Sequence, residues 1–348
     1  MQVYPHLPDA ARRPIAIWLF VMAGLVGAMT VIGGVTRLTE SGLSMVEWRP
    51  LIGWLPPIST EEWTRVFDLY RLTPEYRQIN AGMSLEAFQT IFWWEFIHRV
   101  WGRLLGLAFA APLAVFWLKG WVRPPLRGRL LLLLGLGGLQ GVIGWWMVRS
   151  GLVDRPDVSH YRLAVHLGMA FLIAGLLTWI ALNVACGKDA PAPAALRRRA
   201  WGALAAVGIV VILGAFVAGT NAGMIYNTFP LMGGAFVPAD YLFLDPVWRN
   251  PLENKAAIQF DLRWAAIATA AFVVALWLRG LRAPRARRQR RALDGFAVAV
   301  VGQAVLGVVT LLSVVWLPLA ALHQAMAMAL FLAGVWTVWS FSGAADRR

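Results

Sequence analysis

Four residues able to do chemistry stand together in Glu95-Phe-Ile-His-Arg-Val-Trp-Gly-Arg103, inside an otherwise apolar run. Glu95, His98, Arg99 and Gly102 are spaced so that a helix presents them on one face. An ionisable group within a membrane span costs roughly 2.5 kcal/mol or more at the bilayer centre, so that face is expected to line a cavity rather than meet lipid. Neutral imidazole is the commonest metal ligand, and a glycine one turn beyond it leaves room for a flat macrocycle. Haem ligation is the chemistry this pattern suggests. Two further histidines, His166 and His323, lie in other apolar runs. Zinc is the competitor, but no second acid accompanies Glu95 and Cys186 is the single cysteine, whereas haem needs only two axial imidazoles.

Each residue also has a structural reading. A lone intramembrane histidine can be a hydrogen-bonded packing residue, and Glu95 with Arg99 can be an i, i+4 ion pair. The functional alternative gives Arg99, Arg37 or Arg162 to haem propionates and leaves Glu95 as a proton acceptor. Gln140 and Gln303 read as polar contacts between helices or as ligand contacts, and the glycines as close helix packing. His160, about 240° round the helix from His166, is expected to cap that helix or face water. His6 carries no signal.

These residues need apolar helices to position them. The 348 residues are 59% hydrophobic and 14% charged, and 19 tryptophans suit interfacial belts. The expected fold is an all-α polytopic membrane protein with eight transmembrane helices, near 15–36, 90–118, 129–149, 161–185, 200–219, 256–278, 292–315 and 318–341. Residues 1–14 form a tail without a separate cleavable signal, so the first span is expected to direct insertion.

Charge sets the orientation. Of 32 Lys and Arg, 19 fall in the two tails and in the connections 119–129, 187–199 and 279–291, with 4 of the 18 acids in or beside them. The split is +15 against −1, so both termini are expected in the cytoplasm, and the basic loops are topology signals rather than a nucleic-acid surface. On the other side lie a loop over 37–89, with short amphipathic helices expected at Glu61–Tyr70 and Ser84–Gln89, and an apolar lid over 221–254.

The second half echoes the first. Thr39-Glu-Ser-Gly matches Thr220-Asn-Ala-Gly, Gln140-x3-Gly144 matches Gln303-x3-Gly307, Leu163-Ala-Val-His166 matches Ala320-Ala-Leu-His323, and Glu95-Phe-Ile-His-Arg99 matches Gln259-Phe-Asp-Leu-Arg263. Two pseudo-symmetric four-helix bundles follow, spanning 15–186 and 200–342, with a linker at 187–199 and a tail at 343–348. At about 1.5 Å per residue, His98 and His166 lie roughly 8 to 12 Å below the outer surface, able to face each other across one cavity. His323 lies at similar depth, but its expected opposite number is Leu262.

Together with Gly34-Val-Thr-Arg-Leu-Thr-Glu-Ser-Gly-Leu-Ser44, Tyr161-Arg-Leu-Ala-Val-His166, Thr220-Asn-Ala-Gly223 and Leu322-His-Gln324, the Glu95–Arg103 stretch resembles the heme A synthase family shared by proteobacteria and mitochondria, over nearly the whole chain. The resemblance implies a membrane oxidoreductase that converts haem O to haem A by oxidising a ring methyl to a formyl group with oxygen from water, for cytochrome oxidase biogenesis. It implies that His98 and His166 are the substrate haem ligands, that Glu95 is catalytic, and that the C-terminal pocket holds haem b with His323 as one ligand. The family has histidine where this chain has Leu262, which puts electron transfer through that pocket in question, and the cysteine pair some relatives carry in the first outer loop is absent. The bacterial inner membrane is the expected location, with both pockets near the periplasmic face. Expected partners are haem O and the lipid bilayer, with haem O synthase and oxidase assembly factors as protein candidates; no nucleic acid is expected, and the sequence leaves a homo-oligomer open. The rival readings are a non-enzymatic electron-transfer cytochrome and a haem carrier; Leu262 weighs against the first.

Overall fold

Long runs of Leu, Ala, Val and Ile, with proline kept to loops and helix starts apart from Pro14 and Pro112, leave the backbone no way to satisfy itself in lipid except as helices. The computed structural model of the chain describes residues 4–48, 53–153, 156–283 and 286–343. Its α-helices are α1 (Asp9–Leu38), α2 (Thr60–Arg71), α3 (Pro74–Gln78), α4 (Leu85–Leu118), α5 (Leu126–Val153), α6 (His160–Ala185), α7 (Ala194–Thr220), α8 (Asn250–Glu253), α9 (Lys255–Leu281), α10 (Arg287–Leu312) and α11 (Leu317–Ser342). Eight of them, α1, α4, α5, α6, α7, α9, α10 and α11, are long and apolar enough to cross a membrane.

The spans agree with the sequence expectation in number and order, and differ at their ends. The expected separate helix at Ser84–Gln89 is instead the beginning of α4, capped by Ser84, whose hydroxyl accepts from the Ala87 N–H. Its first turns rise above the bundle and pack against α2, which replaces the expected Glu61–Tyr70 helix with one residue more at each end. The tail expected over 1–14 is helical from Asp9, and the linker expected over 187–199 is helical from Ala194. Of the expected tail 343–348, residues 344–348 lie outside the described residues.

In the first half α1 packs on α4 and α6, and α5 on α4 and α6, so α4 and α6 stand diagonally across a ring of four. The second half repeats this ring with α7, α9, α10 and α11. The rings join through α6 on α7, α1 on α11 and α6 on α11, the pairing expected when α1 matches α7 and α6 matches α11 about one axis. Indole N–H groups fasten helices across the seams. Trp18 donates to the Ala108 carbonyl (3.0 Å), Trp101 to that of Leu25 (3.1 Å), and Trp339 to Asn183 Oδ1 (2.8 Å).

Tyr4 and Phe341, near the two ends of the described residues, lie on the side of the basic connections. Arg129 donates to the Tyr4 hydroxyl, Ala192 N–H to the Phe341 carbonyl, and Gln289 to the carbonyls of Ala190 and Ser340. The loop over 221–254 carries 3₁₀ turns at Ala222–Met224 and Val247–Arg249 besides α8, and Asn227 ties it to the Leu311 carbonyl at the outer end of α10.

Small residues set how closely the halves approach, because lipid offers no hydrophobic drive between helices. A Cβ on Gly219 of α7 would lie 2.5 Å from His160 Cβ and 2.8 Å from its Cα, so backbone would have to move. Gly219→Ala is expected to cost about 1 to 3 kcal/mol. Gly208→Ala, where a Cβ meets nothing within 4 Å, should be neutral or better. Thermal unfolding in detergent checks this; equal melting of the two variants would contradict the close α6–α7 crossing.

Candidate haem-binding site

The chemical face of α4 is turned to α1 and the loop that follows it. A Cβ on Gly33 of α1 would lie 3.1 Å from His98 Nε2, so the imidazole occupies space the glycine leaves. A Cβ on Gly102 would meet Met29 Cε at 3.5 Å, an ordinary contact, so this glycine serves α1–α4 packing. Gly33 stands five residues before the end of α1 and His166 six residues into α6, which at about 1.5 Å per residue puts both rings at one depth. His98 and His166 lie within electrostatic range of one another, on the two diagonal helices of the first ring.

His166 and His323 sit alike in their two halves. A Cβ on Gly144 of α5 would lie 3.0 Å from His166 Cε1, and one on Gly307 of α10 would lie 3.1 Å from His323 Cε1. The Gln four residues before each glycine is directed at the same histidine. Gln140 Nε2 donates to the His166 carbonyl (2.9 Å), and Gln303 Nε2 lies 3.3 Å from His323 Nε2. In both sites the histidine Nδ1 and the glutamine Oε1 are buried without a hydrogen-bond partner. Unsatisfied polar atoms in an apolar bundle call for an explanation, and a ligand seated between the helices supplies one.

Glu95 is 2% exposed, and each of its oxygens receives two donors. Arg99 Nε (3.0 Å) and Nη2 (2.5 Å) bind Oε1; Ser44 Oγ (2.8 Å) and the Met45 N–H (2.7 Å) bind Oε2. Arg99 also donates to the carbonyls of Met45 (2.7 Å) and Glu47 (2.9 Å). Of the two readings of Arg99, the structure shows the i, i+4 ion pair with Glu95, and the guanidinium also braces the first outer loop. The second half repeats the strut without the carboxylate. Arg263 donates to the carbonyls of Tyr226, Thr228, Pro230 and Leu231, and Gln259, at the position matching Glu95, donates to that of Tyr226.

The other two arginines differ. Arg37 reaches from α1 to the Gly219 carbonyl (3.3 Å) and Asn221 Oδ1 (3.1 Å), and its Nε is buried without a partner. Arg162 donates to the Trp146 carbonyl (2.6 Å) and lies over that indole, 4.5 Å from its centroid. His160, expected to cap its helix or face water, is buried and bonded through Nε2 to the Leu252 carbonyl (2.9 Å), because the second outer loop covers it.

In the second half Leu262 occupies the position that matches His98, and Gly214, which matches Gly33, has nothing within 4 Å of its Cβ position. His323, with its partnerless Nδ1 and the space kept by Gly307, fits a haem held through one axial imidazole. Surface hollows lined by Tyr4, His6 and Trp121 and by Arg197, Arg198 and Trp201 lie on the termini side, remote from all three rings.

Residues 16–335 match the family described as cytochrome oxidase assembly protein. The chain is 52% identical over 336 residues to the heme A synthase of Rhodospirillum centenum, covering 96% of this chain and 90% of that one. It is 48% identical over 335 residues to that of Nitrosospira multiformis, covering 94% and 93%, and 49% identical over 330 residues to that of Parvibaculum lavamentivorans, covering 95% of each.

Breaking a buried ion pair costs about 3 to 5 kcal/mol. Arg99→Met should therefore speed amide exchange at Met45 and its neighbours by on the order of a hundred-fold, and Arg263→Met, which removes charge-assisted hydrogen bonds to carbonyls and no ion pair, should speed it in the 226–231 segment by roughly ten-fold or more. Exchange read by mass spectrometry checks this; unchanged protection of both loops would contradict the strut assignment.

Proposed function

The chain belongs to the cytochrome oxidase assembly protein family, and from that membership we propose that it converts haem O to haem A by oxidising a ring methyl to a formyl group with oxygen from water. With eight apolar spans and bacterial relatives it is a multi-pass bacterial membrane protein. Both termini lie in the cytoplasm and both pockets near the periplasmic face, a reading supported by the basic connections gathered at the termini.

One observation carries the reading. The two rings are built alike, yet the first has His98 and Glu95 where the second has Leu262 and Gln259. Gln259 and Arg263 brace the second loop without a carboxylate, so bracing alone does not require Glu95. A redox carrier with two equivalent haems has no use for that difference; a reacting pocket beside a supporting one does.

His98 and His166 hold the substrate iron and so fix the height and rotation of the ring, which matters because a single methyl is to react. Arg37, through its unpartnered Nε, and Arg162 are the propionate contacts that remain once Arg99 is committed. Glu95, one turn above His98, ties Arg99, Ser44 and Met45 together and so holds the first outer loop over the reacting pocket, keeping the ring in place. The substrate's long apolar tail stays in lipid, reaching the pocket past α4 and α5, the spans with the smallest buried share. His323 would hold haem b in the C-terminal pocket, where that group would supply one-electron transfer. Haem O synthase and oxidase assembly factors are the protein partners this role calls for.

Expressed in a host whose membranes contain haem O but no haem A, the chain is expected to yield formyl haem on pigment extraction and chromatography. An electron carrier or haem carrier would yield none. Leu262→His should add a six-coordinate b-type signal to the reduced-minus-oxidised spectrum; spectra identical to wild type would contradict the assignment of the second pocket.

A further inference from the structure

The outer layer holds a buried acid that the mechanism above does not use. Glu75, in the first turn of α3, is 4% exposed. The hydroxyl of Tyr70, itself fully buried, donates to Glu75 Oε2 (3.0 Å), and Asn80 Nδ2 donates to the Tyr70 oxygen (2.8 Å). Because Asn80 occupies that oxygen as a donor, the single Tyr70 O–H is kept on Glu75. Around the pair stand the rings of Phe67, Tyr76 and Phe88. Among the described residues no Lys or Arg pairs with Glu75.

A carboxylate so placed is costly unless it can take up a proton. The charged groups that bear on it are Glu95 from α4, Glu40 from the turn after α1 and Asp157 from the α5–α6 connection, all acidic. Burial, then those acids, push its pKa up to about 8 against the lowering effect of the Tyr70 hydrogen bond. Burial and the charges of Glu75 and Glu95 raise the pKa of Tyr70 too. Tyr70 packs in one cluster with Phe88, Phe92 and Phe96 of α4 and with Met45, whose N–H binds Glu95, while α3 packs on α5, whose Gly144 backs His166.

Glu95 has no lone pair to offer. A carboxylate has about four acceptor positions, and Arg99, Ser44 and Met45 fill them, so protonating Glu95 would displace a donor and loosen the outer loop. Oxidising a methyl to a formyl group with one water releases four protons and four electrons. The electrons leave one at a time to a one-electron acceptor of the haem class, and the protons need a base that can be emptied outward.

We propose that Glu75, held by Tyr70, is the proton acceptor of the N-terminal pocket. Its carboxylate takes each proton released as water adds and the methyl is oxidised, and returns it to the outer aqueous side, regenerating the carboxylate. This rests on the reading of that pocket as the site of haem O oxidation.

The test uses the full chain in lipid nanodiscs, supplied with haem O, and follows haem A formation from about pH 6 to 10. Glu75 accepts a proton only when ionised, so the wild-type rate should rise with pH and level off above about 8. Glu75→Gln should be slower by on the order of a hundred-fold and lose that limb. Tyr70→Phe keeps the ring but removes a hydrogen bond that favours the carboxylate, so its limb should move to higher pH. An unchanged limb in Glu75→Gln, or an unshifted one in Tyr70→Phe, overturns the proposal. Infrared titration separates the two readings: a buried-acid carbonyl band should fade near pH 8 in wild type and be missing in Glu75→Gln. Wild type that makes no haem A at any pH defeats the function reading, whereas wild type lacking the band defeats the role of Glu75 by itself.

Discussion

An imidazole can stand inside an apolar helical bundle only where a neighbouring helix gives up its side chain, and this constraint organises the molecule. His98 has Gly33, His166 has Gly144 and His323 has Gly307, each so near the ring that a methyl group would crowd it. The glycine comes from the helix that packs alongside, so ring order, helix register and depth are fixed together. The cost of a polar ring in such surroundings is met only if its nitrogens find partners. The Nδ1 atoms of His166 and His323 find none in the protein, which is why a ligand completes the account.

Duplication supplies the scaffold and departure from it supplies the chemistry. Arg99 and Arg263 each brace the outer loop of their own half through its carbonyls, and that shared strut keeps the loops seated over the bundles. Against this background the differences at 95 and 98, compared with 259 and 262, stand out as concentrated in one pocket. Placing the acid of the strut and the titrating acid on separate residues lets the loop stay braced while a proton moves nearby.

Much of this was legible in the sequence because apolar length and charge asymmetry report directly on a bilayer. The eight spans and their order came from those signals, the pairing of the halves from matching motifs such as Gln140-x3-Gly144 and Gln303-x3-Gly307, and the three histidines from their rarity within the spans. The ion pair of Arg99 with Glu95 was one of two readings open in the sequence, but its bracing of the outer loop was missed, although the repeat carried the signal: Arg263 is kept with Gln259 in place of the acid and Leu262 in place of the histidine, as a strut would be. The start of α4 was misplaced because the hydropathy falls where the helix leaves the membrane, while the backbone, capped by Ser84, continues unbroken. His160 and Glu75 could not be assigned from sequence, since each is buried by a segment distant in the chain or by a loop fold that no periodicity describes.

The central claim is that the rings of His98 and His166 grip an iron porphyrin between α4 and α6. A density map of the protein purified with its pigment tests it most directly. The account predicts a flat macrocycle between those two helices, with both imidazoles pointing at its metal. Lipid chains or packed side chains there, with the rings turned apart, would contradict it.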